Sequence, residues 1–190
     1  MKKFFAWLVL ALMLCSTASV SLSEVIVLSS PDMNADQVTG SIDDMKLGKD
    51  IDLGDRVYTP QKYETRNVLD SRWDGKTERI ESGKDSDLLV LWIDVLNYSQ
   101  KEQTYFKDAT VVVTFQSGRG AYQFGGSIRQ LDASCSTEPY NKQYVWAIQP
   151  LYVGYYLVYC PVPNYVIDNS GELKMEITTG ETTLTYYIRK

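Results

Sequence analysis

The stretch Asp87-Leu88-Leu89-Val90-Leu91-Trp92-Ile93-Asp94-Val95-Leu96-Asn97-Tyr98 decides the fold of this chain. Side chains alternate across a strand, so Leu89, Leu91, Ile93 and Val95 share one face, and Leu88, Val90, Trp92 and Leu96 share the other. Both faces are largely apolar. Such a strand is buried on both sides and sits centrally in its sheet. The β-branched and aromatic content, and the polar stop Asn97-Tyr98-Ser99, favour a strand over a buried helix. The rest of the chain must therefore wall off two faces.

Downstream, Val111, Val113 and Phe115 share a face, and Ser117-Gly118-Arg119-Gly120 is a hairpin signal. Ala121 to Leu131 returns as the partner arm, anchored by Tyr122, Phe124 and Ile128. Asp132 to Asn141 reads as a loop and Gln143 to Ile148 as a short strand. Tyr155 to Cys160 is a further strand, which Pro161 and Pro163 end or confine to an edge because they donate no ladder hydrogen bond. Leu173, Met175 and Ile177 alternate on one arm of a terminal hairpin, and Leu184, Tyr186 and Ile188 on the other.

Upstream, Ile51 to Tyr63 alternates around a Gly54-Asp55 turn, with Glu64 to Leu69 as its continuation. Val25 to Leu28 is a short candidate strand. Arg72 to Ser86 is charged and glycine-punctuated and reads as a solvated loop. Seven to nine strands at turn-punctuated spacing, with no convincing helical period, predict an all-β, antiparallel β-sandwich.

Residues 1–23 read as a signal peptide. Lys2 and Lys3 precede the apolar run Phe4 to Leu14, and Ser16-Thr17-Ala18 supplies the small residues of a cleavage site. The run is shorter than the roughly 20 residues that cross a bilayer, so no transmembrane segment is expected in the mature chain. Cys15 raises lipidation as a rival, which bulky Leu14 before it disfavours. Residues 24–45 follow as an extension or linker, and 46–190 as the sandwich domain.

Without Lys2 and Lys3 the chain carries 17 basic and 24 acidic residues, a net charge of −7. That argues against nucleic acid and anionic membrane as partners. Localisation is expected to be secreted or extracytoplasmic, with cell-surface association open. Cys135 and Cys160 remain, and an oxidising compartment would pair them as a disulfide worth roughly 3–4 kcal/mol.

The order of features resembles a family of immunoglobulin-like domains of unknown function in bacterial secreted proteins and lipoproteins. The resemblance rests on Gly54-Asp55-Arg56-Val57, Val95-Leu96-Asn97-Tyr98-Ser99, Pro150-Leu151-Tyr152-Val153-Gly154 with Pro161 after it, and Tyr186-Tyr187-Ile188-Arg189. It implies an immunoglobulin-like sandwich over roughly Lys46 to Lys190, and an exported location. It implies no catalytic residues.

The chain has no histidine, which removes the Ser-His-Asp triad, a histidine base and the usual zinc sites. Asp43-Asp44, Asp50, Asp52 and Asp55 are the carboxylates from which a hydrolase could be built. Asp32, Asn34, Asp36 and Asp43 carry oxygens at calcium-loop spacing, although Gln37 stands where the sharp turn needs glycine. A calcium-dependent adhesion or sensor module is thus one alternative, and a carboxylate hydrolase another.

Tyrosine is the unusual resource, with 14 in the chain. Such side chains bury area while keeping a polar tip, which suits recognition of protein or carbohydrate. Tyr155 and Tyr156 must point to opposite faces of a strand, and Trp73 lies in the charged stretch. These three are the candidate binding residues. The function expected is a non-catalytic binding module, with no cofactor, for an unidentified protein or an envelope polysaccharide. Asn97-Tyr98-Ser99 also matches a glycosylation acceptor.

Overall fold

The computed structural model describes residues 40–73, 76–131 and 147–190. Its strands are β1 (Gly40–Ile42), β2 (Ile51–Asp52), β3 (Arg56–Arg66), β4 (Val68–Trp73), β5 (Lys76–Glu81), β6 (Ser86–Asn97), β7 (Thr110–Ser117), β8 (Gly120–Gly125), β9 (Ser127–Leu131), β10 (Val153–Pro163), β11 (Glu172–Thr179) and β12 (Thr182–Arg189). One short helix, α1 (Asn164–Asp168), links β10 to β11.

Two five-stranded sheets form, β1-β12-β11-β7-β8 and β2-β3-β6-β10-β9, with β4 and β5 as a separate hairpin. Every pairing is antiparallel except that of β1 with β12. Setting aside β1, β2 and the hairpin, the chain fills one sheet with β3 and β6 and crosses to the other for β7 and β8. It returns for β9 and β10, then ends on β11 and β12. The spatial orders β3-β6-β10-β9 and β12-β11-β7 are those of an immunoglobulin sandwich, with β8 as an added edge strand. The expected fold class is therefore found, with more strands than the seven to nine foreseen.

The stretch read first is β6, flanked by β3 and β10. Leu89, Leu91, Ile93 and Val95 are wholly buried between the sheets, against Val113 and Phe115 of β7 and Met175 and Ile177 of β11. Each such side chain contributes roughly 1.5–3 kcal/mol on leaving water. The opposite face of β6 carries Leu88, Val90 and Trp92, packed with Leu131, Leu157, Tyr159 and Leu69.

Leu69 corrects the reading of the charged segment. Arg72 to Ser86 is not simply a solvated loop, because most of it pairs as the β4–β5 hairpin. That hairpin brings Leu69 and Ile80 onto the outer face of the second sheet, which would otherwise be wet.

Two further expectations change. Ala121 to Leu131 is not one arm but two, since β8 pairs with β7 while β9 pairs with β10. The crossing is made at Gly126, where a Cβ would stand 2.6 Å from Val111 Cγ1 and 2.7 Å from the Tyr159 carbonyl oxygen. The prolines of β10 do not end it: the strand runs on through Pro163 beside β6. Its pairing with β9 stops at Tyr159, and Asn164 N donates towards β6, to the Asp85 carbonyl. Backbone donors alternate sides along a strand, so Pro161 and Pro163 lack theirs on the flank β9 has left. The expected edge is local.

The end of β6 is pinned by Asn97, which is fully buried. Its Nδ2 donates to the carbonyls of Lys101 at 2.9 Å and Ile148 at 2.7 Å. Its Oδ1 accepts from Ser99 N, Ser99 Oγ and Tyr105 Oη. The amide nitrogen that a glycan would need is occupied and out of reach.

Candidate functional site

One aspartate, Asp94, interrupts the apolar run of β6. It falls on the same face as Leu88, Val90 and Trp92, beyond the hydrophobic patch those residues make. Opposite it, β3 carries a bulge: Pro60 pairs with Ile93 and Lys62 with Trp92, which leaves Gln61 unpaired between them. A bulge re-aims side chains. Gln61 Nε2 accordingly donates to Asp94 Oδ2 at 2.8 Å.

Lys62, Glu64 and Arg66 then alternate along β3. Lys62 Nζ stands 5.0 Å from the centre of the Trp92 ring and Arg66 Cζ 5.4 Å. Each contact of this kind contributes about 0.5–1 kcal/mol at an open site. Glu64 ion-pairs with both cations and holds them in place.

Together these residues border a groove of about 300 Å³ on the outer face of the second sheet. Its lining comprises Gln61, Lys62 and Arg66 from β3, Trp92 and Asp94 from β6, Leu131 from β9, and Tyr155 and Tyr156 from β10. Burial raises the Asp94 carboxyl above its ordinary value, and the Gln61 hydrogen bond partly offsets this. The groove thus joins an apolar, aromatic floor to an amide, a carboxylate and two cations. Asp94 is the single carboxylate among its lining residues. The amide, the carboxylate and the rings offer a ligand hydrogen bonding and stacking.

The candidate residues from the sequence distribute unevenly. Tyr155 is half-buried, faces the outer side and lines the groove. Tyr156 also borders the groove, but its ring points inward, 1% exposed and edge-on to Phe106 at 5.0 Å, so the side chain offers a ligand little surface. The opposed pair foreseen on the strand is present, and only one of the two reaches solvent. Trp73 ends β4, but its side chain lies outside the described residues.

Asp32, Asn34 and Asp36 also lie outside them, as do residues 1–23, expected to be a signal peptide, with Cys15 among them, and Cys135. Asp43 is described, and its Oδ1 accepts from Ser41 Oγ at 2.9 Å. Cys160 is a buried free thiol facing the space between the sheets, so the disulfide expected with Cys135 is not formed in the structure.

No family model matches the chain, and no curated protein does. Among solved structures, an uncharacterised β-sandwich protein from Clostridium difficile superposes with a TM-score of 0.62 at 13% identity, over 79% of this chain and 97% of that one. A conserved hypothetical protein from Bacillus anthracis matches at 11% identity and a TM-score of 0.48, over 75% of this chain and 94% of its own. The first likeness is one of fold alone.

Sequence reasoning missed Gln61, Lys62, Arg66 and Asp94, and read Trp92 only as core. The available signal was Asp94 itself, a charge set within a doubly apolar strand.

Proposed function

We propose that this protein is an exported, non-catalytic binding module whose groove over Trp92 and Tyr155 takes an envelope polysaccharide. A sugar ring offers an apolar face to an aromatic side chain and hydroxyls to amides and carboxylates. The groove supplies both, with Tyr155 beside the hydrogen-bonded Gln61–Asp94 pair. The observation that carries the reading is that pair, held by a bulge beside the aromatic floor of the groove. Lys62 and Arg66 favour chains that bear carboxylate or phosphate groups. Export is supported by the charged start and apolar run of residues 2–14.

The test is a screen of envelope glycans followed by calorimetry on two variants. Asp94→Ala should weaken binding about tenfold or more and Tyr155→Ala about two- to tenfold, since hydrogen bonds to a charged group contribute about 1.5–3 kcal/mol and aromatic contacts about 0.5–1.5 kcal/mol. Their melting temperatures should stay close to that of the parent. A ligand bound equally well by both variants, or no glycan bound at all, would overturn the proposal.

A further inference from the structure

Each sheet has two outer strands, and three of the four are protected against pairing with another chain. β1 has three residues, β2 has two, and β9 has five and carries the charge of Arg129. Short edges and charged edges are the usual devices by which sheets avoid one another.

β8 has neither. Its six residues, Gly120-Ala121-Tyr122-Gln123-Phe124-Gly125, contain no charge and no proline. Its register with β7 runs one to one from Val112↔Gly125 to Ser117↔Gly120 without a bulge. Among the described residues it has a ladder neighbour on one side only. Ala121, Tyr122 and Gln123 are exposed.

Aromatic surface lies beside this edge. Tyr122 is 45% exposed and Tyr165 58%, and both rings stand 6.3 Å from that of the buried Phe115. Two exposed tyrosines over one buried phenylalanine form a patch next to a row of backbone groups that have no ladder partner among the described residues.

We infer that β8 is the edge through which two copies of this chain pair, antiparallel and related by a two-fold axis. A two-fold contact uses the same surface twice, so the partner must complement itself. β8 does so, because an uncharged strand laid against its own reverse brings no like charges together. The backbone groups satisfy each other, and Tyr122 of each copy is covered. A single strand pairing lies at the small end of stable interfaces, so the dimer is weak and depends on concentration.

Sedimentation equilibrium of the protein from micromolar to millimolar concentration tests this, together with hydrogen exchange of the β8 amides over the same range. The expected result is a monomer–dimer equilibrium, with β8 exchange slowing as the dimer fills. Ala121→Lys combined with Gln123→Lys would gather four lysines across the axis. That variant should remain monomeric throughout with an unchanged melting temperature. A parent protein that stays monomeric with concentration-independent β8 exchange would overturn the inference, as would a dimer that survives both lysines. Slowing of β8 exchange only on addition of an unrelated extended peptide would also overturn it, by assigning the edge to a different partner.

Discussion

Asn97 closes β6 by turning its amide inward, where it donates to the carbonyls of Lys101 and Ile148 and accepts from the Tyr105 hydroxyl. The Lys101 carbonyl also accepts from Ser99 Oγ and the Ile148 carbonyl from Gln103 N, so Asn97→Ala would take the acceptor from the buried Tyr105 hydroxyl above all, at a cost of about 1–3 kcal/mol. Urea unfolding should show a lowered midpoint with an unchanged slope. Cys160 makes a second prediction. Burial pushes its thiol up to about 12, so almost no thiolate exists near neutral pH. Peptide mapping should find it alkylated only after unfolding. Labelling that requires reductant as well would place it in the disulfide with Cys135.

Asp94 gives a pH dependence with a definite sign. Its folded-state value lies above the ordinary 3.8, so the folded protein holds the proton more tightly than the unfolded chain. Stability therefore falls as pH rises from below 3.8 through the folded value, and is level above it. Asp94→Asn keeps an acceptor for Gln61 and removes this loss. Its melting temperature relative to the parent should be highest at neutral pH, and the advantage should vanish in acid.

Among the elements, the β4–β5 hairpin acts as a cover. Leu69 is fully buried on the outer face of the second sheet, where β6 presents Leu88, Val90 and Trp92. Leu69→Ala should cost about 2–5 kcal/mol by thermal unfolding, as for other core leucines, although a charge-rich hairpin would pass for a loop. Gly126 matters in a different way, because the chain changes sheets there with no room for a methyl group. Gly126→Ala should destabilise by at least about 1–3 kcal/mol, since the Tyr159 backbone cannot step aside.

These elements also mark what was legible beforehand. β6 announces itself because both its faces are apolar along most of its length, and β11 and β12 because apolar side chains recur at every second position from Leu173 to Ile177 and from Leu184 to Ile188. The hairpin does not, since Leu69 and Ile80 are isolated apolar residues in a stretch of sequence dominated by Asp70, Arg72, Lys76, Glu78 and Arg79. The groove was equally hidden. It draws on β3, β6, β9 and β10, which meet only through long-range pairing, and its polar pair depends on a bulge that no local pattern betrays. Tyr155 was found because opposed neighbours on a strand are a local property.

At the scale of the whole molecule, a sandwich with one sheet face solvated and the other partly covered leaves a short strip of β3, β6 and β10 open between cover and rim. The polar outer side of the first sheet, with Lys174 paired to Glu176 and Thr178 to Thr183, is ordinary solvated surface. The chain is acidic overall at −5, yet two cations flank Trp92 in the groove. Charges of both signs set close together, Lys62 and Arg66 against Glu64 and Asp94, select ligands by site rather than by net attraction.

Backbone and side-chain NMR shifts, followed as an acidic envelope saccharide is titrated in, test the central claim most directly. Perturbations should centre on the Trp92 indole, the Gln61 side-chain amide and the backbone of Asp94 and Tyr155, and should need more saccharide to develop in Tyr155→Ala. Shifts gathered instead at the exposed Leu151-Tyr152-Val153 turn, or on the outer face of the first sheet, would contradict it.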